Sequence, residues 1–355
     1  MWNRQDMRNL ALFATIIFLT ACGHNKKETI QWFGDRYIEN HCDTSVIDAS
    51  VTEWRDNHPQ VLSFTWDDTT PGHKEVAKLL DKYGVKGTFF IVTTQVKSWK
   101  VKLVTLWRRK SSINYDDIYK SGHEIGSHTA HHCNMIHATL DSVNRECQLS
   151  SEQIYDLYGY FPATLSHPTS HYNHQIDSIV HLYYLDSRYS TKKDSDSSIV
   201  FMHVRTAYNF DYYKTQLDSF AISEKKQYIY GGHEMDGLGY EPINSSTLDS
   251  LLSYITAKYS EQFWITTFGN LAMYKYMYDN VTIDNEPGRT IIRTNKIANA
   301  LSKYTRSESV ITLCYPNNNL DVYSPGLVNY WYENGNTYVS IDVRRGCTVY
   351  FKKNN

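Results

Sequence analysis

The chain has almost no excess charge of either sign: 36 Lys+Arg against 38 Asp+Glu leave a net charge of -2 over 355 residues. Without a basic surplus nothing points to a nucleic-acid partner, and without an acidic run nothing points to a solvating tail. Beyond residue 22 no apolar stretch is long enough to span a membrane. Cysteine is sparse. Apart from Cys22 there are Cys42, Cys133, Cys147, Cys314 and Cys347, an odd set that leaves at least one thiol free or paired between chains. The expected pairs are Cys133 with Cys147 and Cys314 with Cys347, both near one another in sequence or in strand-like segments. What the chain does have is aromatic surface, with 29 Tyr, 13 Phe and 8 Trp. Tyr and Trp combine a flat apolar face with a polar tip, which suits sugar rings.

The N-terminus is more specific. Arg4 and Arg8 precede the apolar run LALFATIIFLTA, which ends at Cys22. The run has the size of a signal-peptide core and is short for a membrane span. Leu19-Thr20-Ala21-Cys22 resembles a bacterial lipoprotein signal, which implies that Cys22 is lipidated and becomes the new N-terminus. The expectation is an extracytoplasmic lipoprotein of a bacterial cell envelope, tethered to a membrane by its lipid, in a compartment that permits disulfides.

Residues 23–56 read as a linker and lead-in. From residue 57 strand and helix signals alternate. VLSFTW, GTFFIV, HEIGSH, FPATLSHP, LYYLDS, SIVFMHV, QYIYGG and FWITTF read as strands. HKEVAKLLDKYG, NYDDIYKSG, SVNRECQLSSEQIYDLYG and SSTLDSLLSYITAKY read as helices. Alternation over residues 57–285 predicts a parallel α/β barrel. After residue 286 the texture becomes β-like, and Asn334-Gly335 between alternating runs marks a hairpin. Residues 286–355 are expected to form a small all-β appendage.

In a parallel barrel the chemistry sits where the strands end. Asp67-Asp68, His128, His167, Arg188 and His233 each follow or close an apolar run. Polar residues at one strand end mean little; five on one predicted face form a constellation. The stretch HEIGSHTAHHCNMIH spaces His128 and His132 at i, i+4, so on a helical turn both rings face one way. Two histidines and one carboxylate form a standard catalytic zinc set with a position left open. One aspartate of the pair serves as the third ligand, leaving the other as a base.

These residues carry a family resemblance. Residues 58–280 resemble the polysaccharide deacetylases, the NodB-homology domain of carbohydrate esterase family four. Ser63-Phe64-Thr65-Trp66-Asp67-Asp68 resembles the first motif, Thr-Phe-Asp-Asp-Gly. VKGTFFIV resembles the strand that follows it, and His128-Thr129-Ala130-His131-His132 matches the second motif, His-(Ser/Thr)-x-x-His. Gly232-His233 resembles the late histidine motif, and FWITTFGNLAMYKY the closing Trp-x-x-Thr segment. The resemblance implies a distorted (β/α) barrel of the NodB-homology type, with the C-terminal all-β appendage added. It implies Asp68, His128 and His132 as ligands of one divalent metal ion, most commonly zinc. It also implies Asp67 as general base, His233 as general acid and the backbone of Thr169 as oxyanion donor, with His167 lining the cleft.

Two departures stand out. Thr69 replaces the glycine after the aspartate pair. Ser166-His167-Pro168-Thr169 stands where the family usually has Arg-x-Pro-Tyr, so the arginine that orients the base is missing; some members with a Phe-(Ser/Ala)-Tyr-Pro-Tyr-Gly version also lack it. Arg188 is the expected replacement. The implied activity is metal-dependent hydrolysis of N-acetyl or O-acetyl groups on a poly- or oligosaccharide. Two alternatives stay open: a hydrolase of another non-peptide C–N or ester bond, and a carbohydrate-binding lipoprotein with little turnover.

Overall fold

The computed structural model describes residues 44–96, 113–171, 173–188, 198–237 and 239–354. Cys22, the signal segment and Cys42 lie outside the described residues. Strand β1 (Ser50–Val51) is followed by β2 (Gln60–Trp66), α1 (His73–Lys82), β3 (Thr88–Ile91) and α2 (Asp116–Lys120). Next come β4 (Glu124–Ser127), α3 (Leu140–Tyr158), β5 (Thr164–Ser166), α4 (His174–Val180) and β6 (Asp186–Arg188). The chain continues through β7 (Ile199–His203), α5 (Phe210–Ala221), β8 (Gln227–Gly232), α6 (Ser245–Lys258), β9 (Phe263–Ile265) and α7 (Phe268–Asn280). The C-terminal part holds β10 (Thr282–Glu286), β11 (Arg289–Arg293), α8 (Ala298–Lys303), β12 (Val310–Tyr315) and β13 (Leu320–Tyr323). It closes with β14 (Leu327–Glu333), β15 (Asn336–Asp342) and β16 (Thr348–Lys353).

One parallel sheet runs β6-β5-β4-β3-β2-β8-β7, with β9 also paired to β2. β2 is its spine. All seven of its residues are buried, as a strand covered on both faces requires. β3 pairs with the last two residues of β2 and β9 with its first three, so these two neighbours splay apart along one edge. Among the described residues the two outer strands, β6 and β7, are not paired with each other. The fold is thus a curled, open (β/α) barrel. All eight strands run the same way, so their C-terminal ends share one rim.

Helices start where the residue types dictate. The side chains of Thr139, Asn173, Asn209 and Thr267 accept the capping N–H of α3, α4, α5 and α7. For α4, α5 and α7 the cap is a clearer local signal than hydrophobic period. These helices are short or carry aromatic residues around much of their surface, which blurs a 3.6-residue period.

Two antiparallel sheets, β1-β12-β15-β14 and β10-β11-β16-β13, form the C-terminal part. Asn334 (φ 50°) and Gly335 (φ 86°) make the left-handed pair that a two-residue hairpin needs between β14 and β15. Ile311, Leu313, Val339 and Ile341 from these sheets share one apolar cluster with Trp264, Phe268, Leu271 and Met273 from the barrel. β1, from the lead-in, pairs with β12. No helix among the described residues is long and apolar enough to cross a membrane.

The expected disulfides are not formed: Cys133, Cys147, Cys314 and Cys347 are free thiols. Cys314 sits in β12, while Cys347 lies just before β16 in the other sheet and donates to the Val343 carbonyl (3.2 Å). Cys147 is fully buried among Val143, Leu165 and Ile176, and burial pushes its thiol up to about 12.

Candidate metal centre and cleft

At the C-terminal rim lies a cleft of about 660 Å³, lined among others by Asp67, Asp68, His128, His132, Arg188 and His233. His167 and Thr169 line it as well. β2 supplies the aspartates, β4 the histidine pair, β6 the arginine and β8 the late histidine, each from the last strand residue or the turn just after it.

Adjacent side chains on an extended strand point to opposite faces. Asp67 and Asp68 reach one site because Asp68 turns into the left-handed region (φ 71°). Thr69 secures that turn: its hydroxyl accepts from the Val92 N–H (2.9 Å) at the end of β3. The histidine pair differs from expectation. Residues 128–132 form no helical turn; Thr129 (φ 62°) and His132 (φ 58°) are both left-handed, and this irregular turn folds the second ring back towards the first. Thr169 (φ 62°) and Ser170 (φ 60°) repeat the pattern on the facing wall. Non-glycine residues rarely adopt such angles, and they gather where packing over-determines the backbone around a site.

Ligand-type atoms of Asp68, His128 and His132 all lie within 4.8 Å of one another. His128 Nε2 stands 3.4 Å from Asp68 Oδ1, and His132 Nε2 stands 3.3 Å from the same atom. Donors held 2.0–2.1 Å from a tetrahedral ion sit about 3.3 Å apart, so the spacing fits a shared cation. His128 Nδ1 donates to the Ser166 carbonyl (2.8 Å), which fixes the ring with Nε2 turned towards Asp68. His128 is buried and His132 exposed, so the cluster opens to the cleft on one side. Burial alone would raise the Asp68 carboxyl, but hydrogen bonds from His128 and His132 outweigh it and hold the group well below the usual carboxylate range.

Asp67 is 7 % exposed and lies against Arg188, which is 4 % exposed. Arg188 Nη2 donates to Asp67 Oδ1 and to Ser166 Oγ (2.7 Å). The guanidinium lies between the rings of Phe90 (5.3 Å) and Phe201 (5.0 Å), which favour a cation over their faces. Gly231 makes room: a Cβ there would stand 2.2 Å from Phe201 and 3.2 Å from Arg188 Nη1. Burial pushes the Asp67 carboxyl up, but the charges of Arg188, His128 and His233 bring it below its ordinary value. His233, just after β8 and so beside the end of β2, lies edge-on to Tyr240 (5.0 Å), and burial lowers its pKa against the pull of both aspartates.

His131 turns away and bonds Glu146 through both its backbone N–H and Nδ1 (2.9 and 2.7 Å). His167 is buried, and its Nε2 meets Ser187 Oγ at 3.1 Å. Ser166 joins the two halves of the site, since its carbonyl orients His128 and its hydroxyl orients Arg188. The sequence also left His203, Tyr240 and the Arg205–Glu241 ion pair (2.7 Å) unassigned, although all line the cleft. His203 closes the strand read in SIVFMHV, so the strand-end rule could have found it. The others come from loops, which carry no period.

Three buried histidines give a pH prediction. Burial lowers His73, His123 and His167 to about 4 from an ordinary 6.5. The unfolded chain therefore takes up protons first as pH falls. Their contribution is complete above pH 6.5 and is lost between 6.5 and about 4, by up to about 3 kcal/mol per histidine. Asp67 and Asp68, held low in the folded state, add their loss only below the unfolded carboxylate range. Calorimetry in metal-free buffer should show Tm falling steeply from pH 6.5 to 4. A flat Tm over that window would contradict the neutral, buried assignment.

The fold and the cluster define a class: a parallel β/α protein with a three-donor candidate cation site at the C-terminal rim of its sheet. Residues 55–185 match the family model described as polysaccharide deacetylase. No curated protein matches the chain. Among solved structures, the chain is similar to the Xyl-CE4 domain of a multidomain xylanase from the hindgut metagenome of Trinervitermes trinervoides. That likeness has 17 % identity and a TM-score of 0.44, and covers 61 % of this chain and 92 % of that one. It is also similar to a family 4 acetyl xylan esterase from Clostridium thermocellum in complex with a cobalt ion (16 % identity, TM-score 0.43, 60 % and 90 % covered). A third is the peptidoglycan deacetylase PdaC from Bacillus subtilis (14 % identity, TM-score 0.39, 63 % and 94 % covered).

Proposed function

We propose that this protein is a metal-dependent hydrolase that removes N- or O-linked acetyl groups from a carbohydrate. The observation that carries the reading is the convergence of Asp68, His128 and His132 within 4.8 Å, beside a buried Asp67 held by Arg188. The family match over residues 55–185 covers Asp67, Asp68, His128 and His132 and agrees with it.

Asp68, His128 and His132 would hold one divalent ion, and we assign zinc on the donor set of two imidazoles and a carboxylate. Such an ion supplies Lewis-acid polarisation and makes water more acidic. Asp67 takes the proton of the attacking water. Arg188 keeps it ionised and aimed, and Ser166 holds Arg188 in place. His233 gives a proton to the departing amine or alkoxide. The backbone N–H of Thr169 is assigned to the developing oxyanion, and the cleft aromatics to the sugar. Lipidation of Cys22 at a cell-envelope membrane belongs to the same proposal and rests on the Leu-Thr-Ala-Cys pattern after the apolar run.

Elemental analysis and acetate release from chitooligosaccharides, peptidoglycan and acetylated xylan test the reading. The wild type should carry about one divalent ion per chain and release acetate from at least one glycan. His128→Ala should lose both. A wild type with no bound metal overturns the mechanism. A metal-loaded wild type that releases no acetate from any of the three overturns the acetyl assignment.

A further inference from the structure

Behind the cleft, a buried polar chain outside its lining joins the aspartate loop to His233. His73, the first residue of α1, and Tyr115, just before α2, are both fully buried. His73 Nε2 lies 2.9 Å from the His233 carbonyl, and Nδ1 lies 2.7 Å from the Tyr115 hydroxyl.

The chemistry allows one direction of donation. A carbonyl only accepts, so Nε2 carries the proton. Burial keeps the ring neutral at ordinary pH, with its pKa at about 4. Nδ1 is therefore the acceptor, and Tyr115 donates to it. The ring is also held by Phe89 and Tyr115, each edge-on, at 5.2 and 5.7 Å.

Other hydrogen bonds tie the same two segments. The Asp67 N–H donates to the Gly232 carbonyl (2.8 Å), and Thr70 Oγ1 donates to the same His233 carbonyl (3.2 Å). The backbone that carries the base is thus bound to the backbone that carries His233. The His73 contact is the shorter of the two on the His233 carbonyl, and its donor is a ring with no freedom to swing.

We propose that His73, fixed in one tautomer by the His233 carbonyl and braced by Tyr115, is a positioning residue that sets where the His233 ring stands relative to Asp67. Its kinetic consequence rests on the reading of His233 as proton donor; its structural consequence does not. His73 touches no reacting atom. Its removal should lower kcat and leave KM and metal content in place, because the ligands and cleft walls remain.

The test compares His73→Leu, His73→Gln and Tyr115→Phe in the zinc-loaded full chain. Ring nitrogen and carbon resonances of the histidines are recorded alongside steady-state kinetics. Wild-type His73 should show the neutral Nε2–H form. His73→Leu should shift the His233 ring signals and lower kcat about 10- to 100-fold, the scale of a small misplacement of a catalytic group, with KM within about twofold. His73→Gln restores an N–H at similar reach and should recover both readouts. Tyr115→Phe removes the brace on Nδ1 and should shift the His233 ring signals in the same direction as His73→Leu. Unchanged His233 signals in His73→Leu overturn the proposal, as does a Gln variant as impaired as Leu. If His73→Leu does not fold, Tyr115→Phe decides, and unchanged His233 signals there overturn it too. A wild type that releases no acetate removes the deacetylase reading, while the ring signals still decide the positioning role.

Discussion

Asp67→Asn is expected to lower acetate release about 10²- to 10⁴-fold while the metal stays bound, the scale for removing a positioned general base. The argument is one of place and charge. Asp67 is adjacent to the cation cluster but outside it, since the three donors are Asp68, His128 and His132. Its carboxylate is held ionised by Arg188, so it is ready to take a proton over the whole neutral range. Asparagine keeps the shape and removes the basicity. Elemental analysis should give the wild-type metal content, and KM should change little, so the loss falls on kcat. A variant that retains more than a tenth of the wild-type kcat would remove Asp67 from the base role. Loss of metal together with activity would instead make Asp67 a ligand.

Arg188→Met is expected to be the most destabilising single change at the site. The guanidinium is 4 % exposed and is the partner of a carboxylate that is 7 % exposed. Removing it strands a buried negative charge, which costs about 3–5 kcal/mol when one member of a buried pair is deleted. The same change should raise the Asp67 pKa, so the acid limb of the kcat profile moves towards neutral pH. Lysine cannot serve Asp67 Oδ1 and Ser166 Oγ from one planar fork, so Arg188→Lys should recover stability only in part. The decisive measurement is the double variant. With Asp67→Asn added, no charge is left unpaired, and Arg188→Met/Asp67→Asn should unfold at higher denaturant than Arg188→Met alone. If the two single effects simply add, Arg188 and Asp67 are not energetically coupled, and the replacement of the missing motif arginine by Arg188 fails.

Much of the site was legible because parallel strands share a direction. An apolar run that stops at a polar residue marks a strand end, and in a parallel sheet all those ends face the same rim. Asp67, Asp68, His128, His167, Arg188 and His233 stand at such ends, and the i, i+4 spacing from His128 added His132. Ser166 was quoted within its motif, yet nothing in a serine announces that its carbonyl orients one ring and its hydroxyl an arginine. His73 read only as the first residue of a helix. The C-terminal sheets were legible from their alternation and the Asn334-Gly335 turn. The contribution of β1 was not, because two residues carry no period.

The sequence by itself determined the order of the barrel strands, the rim on which the polar residues gather and the spacing of the histidine pair. Those follow from local hydrophobic periodicity and from the single direction of a parallel sheet. Only the tertiary structure decided that the pair meets through left-handed residues instead of a helical turn, that four cysteines stay as thiols, and that Arg188 reaches Asp67. These depend on contacts between residues far apart in the chain, such as Asp67 with Arg188 and His73 with His233. A left-handed aspartate, a buried guanidinium between two rings and a neutral buried imidazole each cost free energy locally, and the surrounding packing is what holds them in place.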